Sequence, residues 1–343
     1  MQFGLFGAAQ AQRGGGPDVD SAAGFKDYIE YVIEAEALGY ESSFIVEHHF
    51  TGFGQVSATL NLLTWIGART TTLRLGTAVI VLPWHNPVLL AEQAATVDLL
   101  SGGRLDFGIG KGYRHNEFVG FRIPMEEAQP RFEEAIDIIT RSWTSNERFS
   151  FRGKYWQFDD IVVEPPTIQK PHPPFWQGAG HPDSIRRVAA RGHNLLLDQF
   201  ASIDETVNRF NIYREAMAAN GFTFDPAQVG VARAFFVAHS NEEKEAALDR
   251  RIAGQRRLHG ISQRPDGKNT ASIMAFSDTR EASEESALYG SPDEICRKVE
   301  RLRAAGVEYL LLNGGGTSRE NLRRFAKEVM PHFRTERSRH AAE

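Results

Sequence analysis

The stretch LRLGTAVIVLPWHNPVLLAEQAATVDLLSGGRLDFGIG, residues 73–110, decides the fold. Its opening run, Leu73–Leu82, is apolar and β-branched and stops at Pro83, the pattern of a strand buried on both faces. Pro87 suits a helix start, and an apolar helix runs on to Leu100 before Gly102 and Gly103 end it. Leu105–Ile109 is a second short apolar run. A strand, a helix and a further strand in this order imply parallel pairing through a right-handed crossover.

The same alternation continues in both directions. Further strands are predicted at Phe3–Phe6, Ser43–Val46, Pro174–Gln177, Asn194–Leu197, Val229–Ala238 and Val307–Leu312. Helical periodicity marks Phe25–Leu38, Ala58–Arg69, Glu126–Trp143, Pro182–Arg191, Ile203–Asn220, Asn241–Leu258, Pro292–Ala305 and Arg319–Val329. Eight strands, each followed by a helix, predict a (β/α)8 TIM barrel over a doubly wound open sheet. Two segments break the rhythm. Phe149–Val163 alternates like a small hairpin, an insertion over 149–165 that leads into a proline-rich link, Pro165–Pro174. Residues 260–289 are polar and without clear periodicity, which predicts a mobile lid loop. The whole chain, 1–343, then reads as one barrel domain.

Composition excludes several classes. The chain has 343 residues, 41% hydrophobic and 24% charged, an ordinary globular balance. One cysteine, Cys296, allows neither an intramolecular disulfide framework nor a cysteine-cluster zinc site, and fits a reducing compartment. The net charge of -5 provides no basic field to collect nucleic acid. No apolar stretch approaches the ~20 residues that span a bilayer, and MQFGLFGAAQ is not a secretory signal. A soluble cytoplasmic protein is the expectation.

In a barrel, functional groups gather at the C-terminal ends of the strands. That rule selects Gly7, Ala8 and Gln10; Glu47, His48 and His49; Thr77, Ala78 and Val79; Gly110, Lys111, Gly112 and Tyr113; Gly178–Ser184; Asp198; His239; and Asn313–Gly316. Adjacent histidines leaving a strand point to opposite sides, so His48 and His49 do not chelate one metal as a pair. A pocket imidazole that moves a proton is the functional reading, and a structural strand-end histidine the bland one. The glycines around Lys111 fit neither the dinucleotide fingerprint nor a Walker A loop, leaving a flexible turn with one cation. The GAGHPDS turn opens a helix whose free N–H groups suit an anion, aided by His181 and Ser184, unless Asp183 merely caps it. Phe50, Phe53, Trp84, Tyr113 and Phe200 are candidate apolar walls. These residues reach a barrel enzyme with a phosphate-bearing ligand and one or two pocket histidines, but not the reaction.

FGLF near the start, SSFIVEHHFTGFG, the 73–113 region and the closing YGSPDEICRKVERLRAAGVEYLLLNGG together resemble the bacterial luciferase-like flavin monooxygenases, in order and over nearly the whole chain. The resemblance implies a (β/α)8 barrel that uses reduced FMN and oxygen, through a flavin C4a-peroxide, to oxygenate a small organic substrate. It implies a non-proline cis peptide, Ala78–Val79, under the flavin ring. It implies flavin-phosphate contacts from Lys111, Gly180, His181 and Ser184, and His48 as catalytic acid/base. No metal site is implied. Lacking a Rossmann fingerprint, the chain is expected to rely on a separate NAD(P)H:flavin reductase, and by family habit to form a homodimer. One departure is clear. The reactive cysteine of the luciferases is Gly110 here, which counts against light emission. The alternatives are a deazaflavin-dependent oxidoreductase of the same fold and a non-catalytic flavin-binding protein.

Overall fold

The computed structural model describes residues 1–11, 20–263, 265, 267 and 271–334. Its centre is a closed ring of eight parallel strands: Gln2–Gly7, Ser42–Ile45, Arg74–Thr77, Leu105–Gly110, Phe175–Gly178, Asn194–Leu197, Val229–Val237 and Tyr309–Asn313. Each pairs with the next in chain order. The eighth closes the ring on the first, with Gln2 opposite Tyr309 and Leu5 opposite Leu312. The expected barrel is therefore what forms.

Local chemistry sets the helix ends. Asn86 caps the helix Pro87–Leu100 by accepting from the Val88 and Leu89 N–H groups at 3.0 and 3.2 Å, and Pro87 occupies the first helical position. Ser291 and Glu294 form a capping box on the helix Pro292–Ala304. The apolar faces of these helices pack on the outward side chains of the strands and form the main core.

The inside of the ring is filled by a second cluster: Phe44, Trp176, Leu196, Ala232, Tyr309 and Leu311. Aromatic rings of this size fit only because facing positions are small. A Cβ on Gly76 would lie 2.3 Å from the Phe44 ring, and one on Gly108 would lie 1.7 Å from the Thr77 carbonyl oxygen. At the opposite end from the site, Arg74 grips the buried Asp106 with two hydrogen bonds of 2.7 and 2.6 Å.

The structure corrects two expectations. Leu73–Leu82 is not one strand. Pairing stops at Thr77, the Ala78–Val79 peptide is cis, and Ile80–Val81 then runs beside Ile109 and Gly110 of the fourth strand. Residues 260–289 are not a structureless loop either. The helix Asn241–Ser262 continues through 260–262, a short helix spans Arg280–Glu285, and Leu288–Gly290 pairs with the end of the seventh strand. Tertiary anchors hold this segment where its sequence shows no period: Arg251 donates to the Ser283 carbonyl at 3.1 Å, and Lys298 to that of Ala287 at 2.8 Å. Residues 264, 266 and 268–270 of the expected lid lie outside the described residues.

The inserted hairpin is present, as Phe149–Arg152 against Gln157–Ile161. Glu134 ties its turn to the barrel by accepting from the N–H groups of Lys154, Tyr155 and Trp156 at 2.9, 3.0 and 2.6 Å. Asp98, fully buried, does the same for the proline-rich link, accepting from Ile168 and Gln169 N–H at 2.7 and 3.0 Å.

Candidate active site

The C-terminal ends of the strands open into a cleft of about 790 Å³. His48, Ala78, Val79, Lys111, Gly180, His181 and Ser184 all face it. Its floor is the top of the barrel interior, where Phe6, Ala78 and Val79 pack on Leu196, Ala232 and Leu311. The cis segment is central in that floor. A Cβ on Gly110 would lie 2.5 Å from one Val79 methyl, and one on Gly178 3.6 Å from the other. Val79 therefore fills the space a cysteine at position 110 would need.

The two neighbouring histidines diverge, as strand geometry requires, and each meets its own buried carboxylate. His48 Nδ1 lies 3.0 Å from Glu117 Oε1, which also accepts from the His49 backbone N–H at 2.9 Å. With Nδ1–H donated to this carboxylate, the Nε2 of His48 keeps its lone pair. Burial pushes the His48 pKa below the ordinary histidine range, the Glu117 hydrogen bond partly restores it, and the nearby Arg114 charge lowers it again. The ring is a neutral imidazole near pH 7.

His49 turns the other way. Its Nε2 lies 2.8 Å from Glu47 Oε1, the same oxygen that accepts from Trp84 Nε1 at 2.8 Å and sits 2.9 Å from His85 Nε2. Burial alone would raise the Glu47 carboxyl. Hydrogen bonds from His49, His85 and Trp84 outweigh it and hold the group at about 2. Glu47 thus pins the chain after the cis peptide to the end of the second strand.

A second chemistry gathers on the other side of Val79. Lys111 follows Gly110 on the rim, and its ammonium is held below the usual lysine range, by partial enclosure first and by Arg187 second. Arg187 donates to Ser184 Oγ at 2.9 Å. Both lie on the helix Pro182–Ala190, whose N-terminus faces the cleft. Lys111, Arg187 and the Ser184 hydroxyl thus gather at that helix N-terminus, a set whose chemistry suits a phosphate-sized anion. His181, not Asp183, caps that helix: its Nδ1 accepts from the Asp183 N–H at 3.3 Å, while Asp183 pairs with Arg186 at 3.0 Å. Ser272 covers the turn, for a Cβ on Gly180 would meet its hydroxyl at 2.7 Å.

Other sequence candidates separate. Tyr113 and Phe200 line the cleft. Trp84 instead stacks on Phe121 with ring centroids 5.1 Å apart, Phe50 is 59% exposed, and Phe53 lies under the Arg257 guanidinium. His239 sits outside, 3.1 Å from Glu328. Sequence reasoning did not single out Glu117, Arg114 or Arg187. The first two belong to the short helix His115–Gly120 and its N-cap, less than two turns, which leaves no period to read.

Residues 1–309 match the luciferase-like monooxygenase family model. The chain belongs to that family. Within it, the chain is 28% identical over 327 residues to the FMNH2-dependent dimethylsulfone monooxygenase of Pseudomonas putida, covering 90% of this chain and 88% of that one. It is 26% identical to the oxygenase component of the flavin-dependent trigonelline monooxygenase of Acinetobacter baylyi, covering 90% of each. Monooxygenase RslO1 from Streptomyces bottropensis superposes with a TM-score of 0.82 at 25% identity, over 97% of this chain and 100% of that one. An F420-dependent secondary alcohol dehydrogenase has the same fold, with a TM-score of 0.76 at 17% identity, over 97% of this chain and 99% of that one.

Proposed function

We propose that this luciferase-like protein is an FMN-dependent monooxygenase that takes reduced FMN from a separate NAD(P)H:flavin reductase and oxygenates a small organic substrate. The observation that carries the reading is one cleft with three parts in sequence: the cationic end of Lys111 and Ser184, with Arg187 bonded to Ser184, the apolar cis segment Ala78–Val79, and the His48–Glu117 pair.

The residues fit the cofactor. A flat, partly apolar ring needs an apolar floor, which Val79 and Ala78 supply, and a phosphate needs fixed donors, which the cationic end supplies. Bound reduced FMN brings the electrons that activate oxygen for transfer of one oxygen atom to carbon or a heteroatom. The chain's own tasks are then orientation, proton movement and exclusion of water. Lys111 and the Gly180–Ser184 turn hold the phosphate. Ala78 and Val79 would support the ring as an apolar floor. His48 Nε2 accepts and returns a proton, with Glu117 setting the tautomer and Glu47 anchoring the surrounding loop. The 271–289 segment serves as cover: Phe276 stacks on Phe200 with centroids 4.2 Å apart, and Arg256 pairs with Asp278 at 3.0 Å. We place this enzyme in the cytoplasm, as a homodimer.

Two close relatives are named as flavin-dependent monooxygenases, one of them as an oxygenase component, which supports the two-protein arrangement. The test is turnover of a substrate panel with FMN, NADH and a flavin reductase, followed by mass spectrometry for a product gaining one oxygen. Oxidation that depends on the reductase supports the reading. Robust turnover with NADH alone, or only with a reduced deazaflavin, sinks it.

A further inference from the structure

Arg114 is only 4% exposed and faces the cleft, yet it has no ion-pair partner among the described residues. Among the described residues no carboxylate lies within 4.0 Å of it. Its Nη1 is buried without any hydrogen-bond partner. Its side-chain contacts are to Tyr113: the phenol oxygen 3.4 Å from Nε, and the ring centroid 5.7 Å from the guanidinium carbon. A buried guanidinium is normally paired, because its desolvation is offset only by an opposite charge held close.

The neighbouring acids pair with other groups. Glu117, three residues on, gives Oε1 to His48 and to the His49 N–H. Glu47 is engaged by His49, Trp84 and His85. The charges that act on Lys111 are Arg187 and Glu133, whereas that of Arg114 acts on His48. Arg114 is thus a second buried cation at the cleft, whose charge is felt by His48, besides Lys111 at its rim.

We infer that Arg114 anchors a carboxylate on the organic substrate, so that this enzyme acts on small organic acids and presents the atom to be oxygenated next to His48. The inference rests on the proposed flavin-dependent function and specifies its substrate class. A guanidinium holds a carboxylate by two parallel N–H···O bonds, which fixes orientation as well as position. Tyr113, already against Arg114 and lining the cleft, offers an aromatic wall for the rest of such a molecule.

The test uses FMN-loaded protein and pairs of ligands that differ only in charge: acetate, benzoate, nicotinate and octanoate against their amides. Calorimetry and the bound-flavin absorption spectrum report binding. At least one carboxylate is expected to bind ~10-fold or more tighter than its amide. Arg114→Met should abolish that preference with FMN affinity unchanged, and Arg114→Lys should retain part of it. The inference is overturned if no carboxylate is preferred, if the preference survives in Arg114→Met, or if Arg114→Met loses FMN as severely as the carboxylate. Failure of the wild-type protein to bind FMN sinks the flavin reading instead. Charge preference in the flavin-free protein still decides the role of Arg114.

Discussion

His48 can accept a proton only while its imidazole is neutral, and burial, the largest influence on it, favours that state. Above its midpoint the ring is neutral and competent; below, it is a cation and is not. The oxygenation rate should therefore fall as pH drops through a midpoint lying under the ordinary 6.5. The charged groups acting on the ring are Arg114, which lowers the midpoint, and Glu117 and Glu47, which raise it. Removing the Glu117 charge as Glu117→Gln should move the midpoint further to acid and reduce turnover, read from a pH profile of kcat. His48→Ala should keep FMN binding and lose on the order of 10²–10⁴-fold in oxygenation. At the cationic end of the cleft, Lys111→Met should weaken FMN by about tenfold, roughly 1.4 kcal/mol, while leaving riboflavin, which lacks the phosphate, unaffected. Comparative fluorescence titration separates the two. At this scale the sequence showed which residues stand at strand ends, because barrel geometry selects them. Their partners, Glu117, Arg114 and Arg187, stayed hidden because pairing across loops leaves no spacing signal.

Single carboxylates fasten whole elements. Asp98, on the helix Pro87–Leu100, satisfies two backbone N–H groups and the Gln169 side chain of the proline-rich link. Asp98→Ala leaves those donors unpaired at about 1–3 kcal/mol each. A loss of roughly 2–4 kcal/mol is expected in urea denaturation, with the link becoming protease-sensitive; a loss below about 1 kcal/mol would contradict this role. The elements themselves were legible where apolar period and punctuation agree: Pro87–Leu100 lies within the bounds that Pro87 and Gly102 suggest. The strand Leu288–Gly290 was not legible. Three residues show no alternation, and what makes them a strand is the free edge at Phe235–Val237. Leu73–Leu82 read as continuous because its composition is uniform; the cis peptide at Ala78–Val79, present in the backbone, was implied by the family resemblance and not by the apolar pattern.

The barrel as a whole depends on matched volumes across its interior. Phe44 occupies the room left by Gly76, with its ring edge-on to Trp176 at a centroid distance of 5.4 Å. Gly76→Ala overfills that layer and should cost about 1–3 kcal/mol. Adding Phe44→Leu should recover part of the loss, as a double-mutant cycle in thermal unfolding would show; strict additivity would refute the packing account. Barrel closure was foreseeable from eight repeats of strand and helix, since the alternation leaves few topologies. The interior layering was less so, because a glycine in a strand does not reveal which ring it faces.

The proposed function makes the cleft the site of a phosphate-bearing flavin beside a neutral imidazole. Anaerobic titration of the protein with photoreduced FMN and, separately, with reduced deazaflavin cofactor F420 tests this most directly. Saturable FMNH2 binding, ~10-fold or more tighter than that of the reduced deazaflavin and weakened in Lys111→Met, is the expected result. Preference for the deazaflavin, or no binding of either, would contradict it.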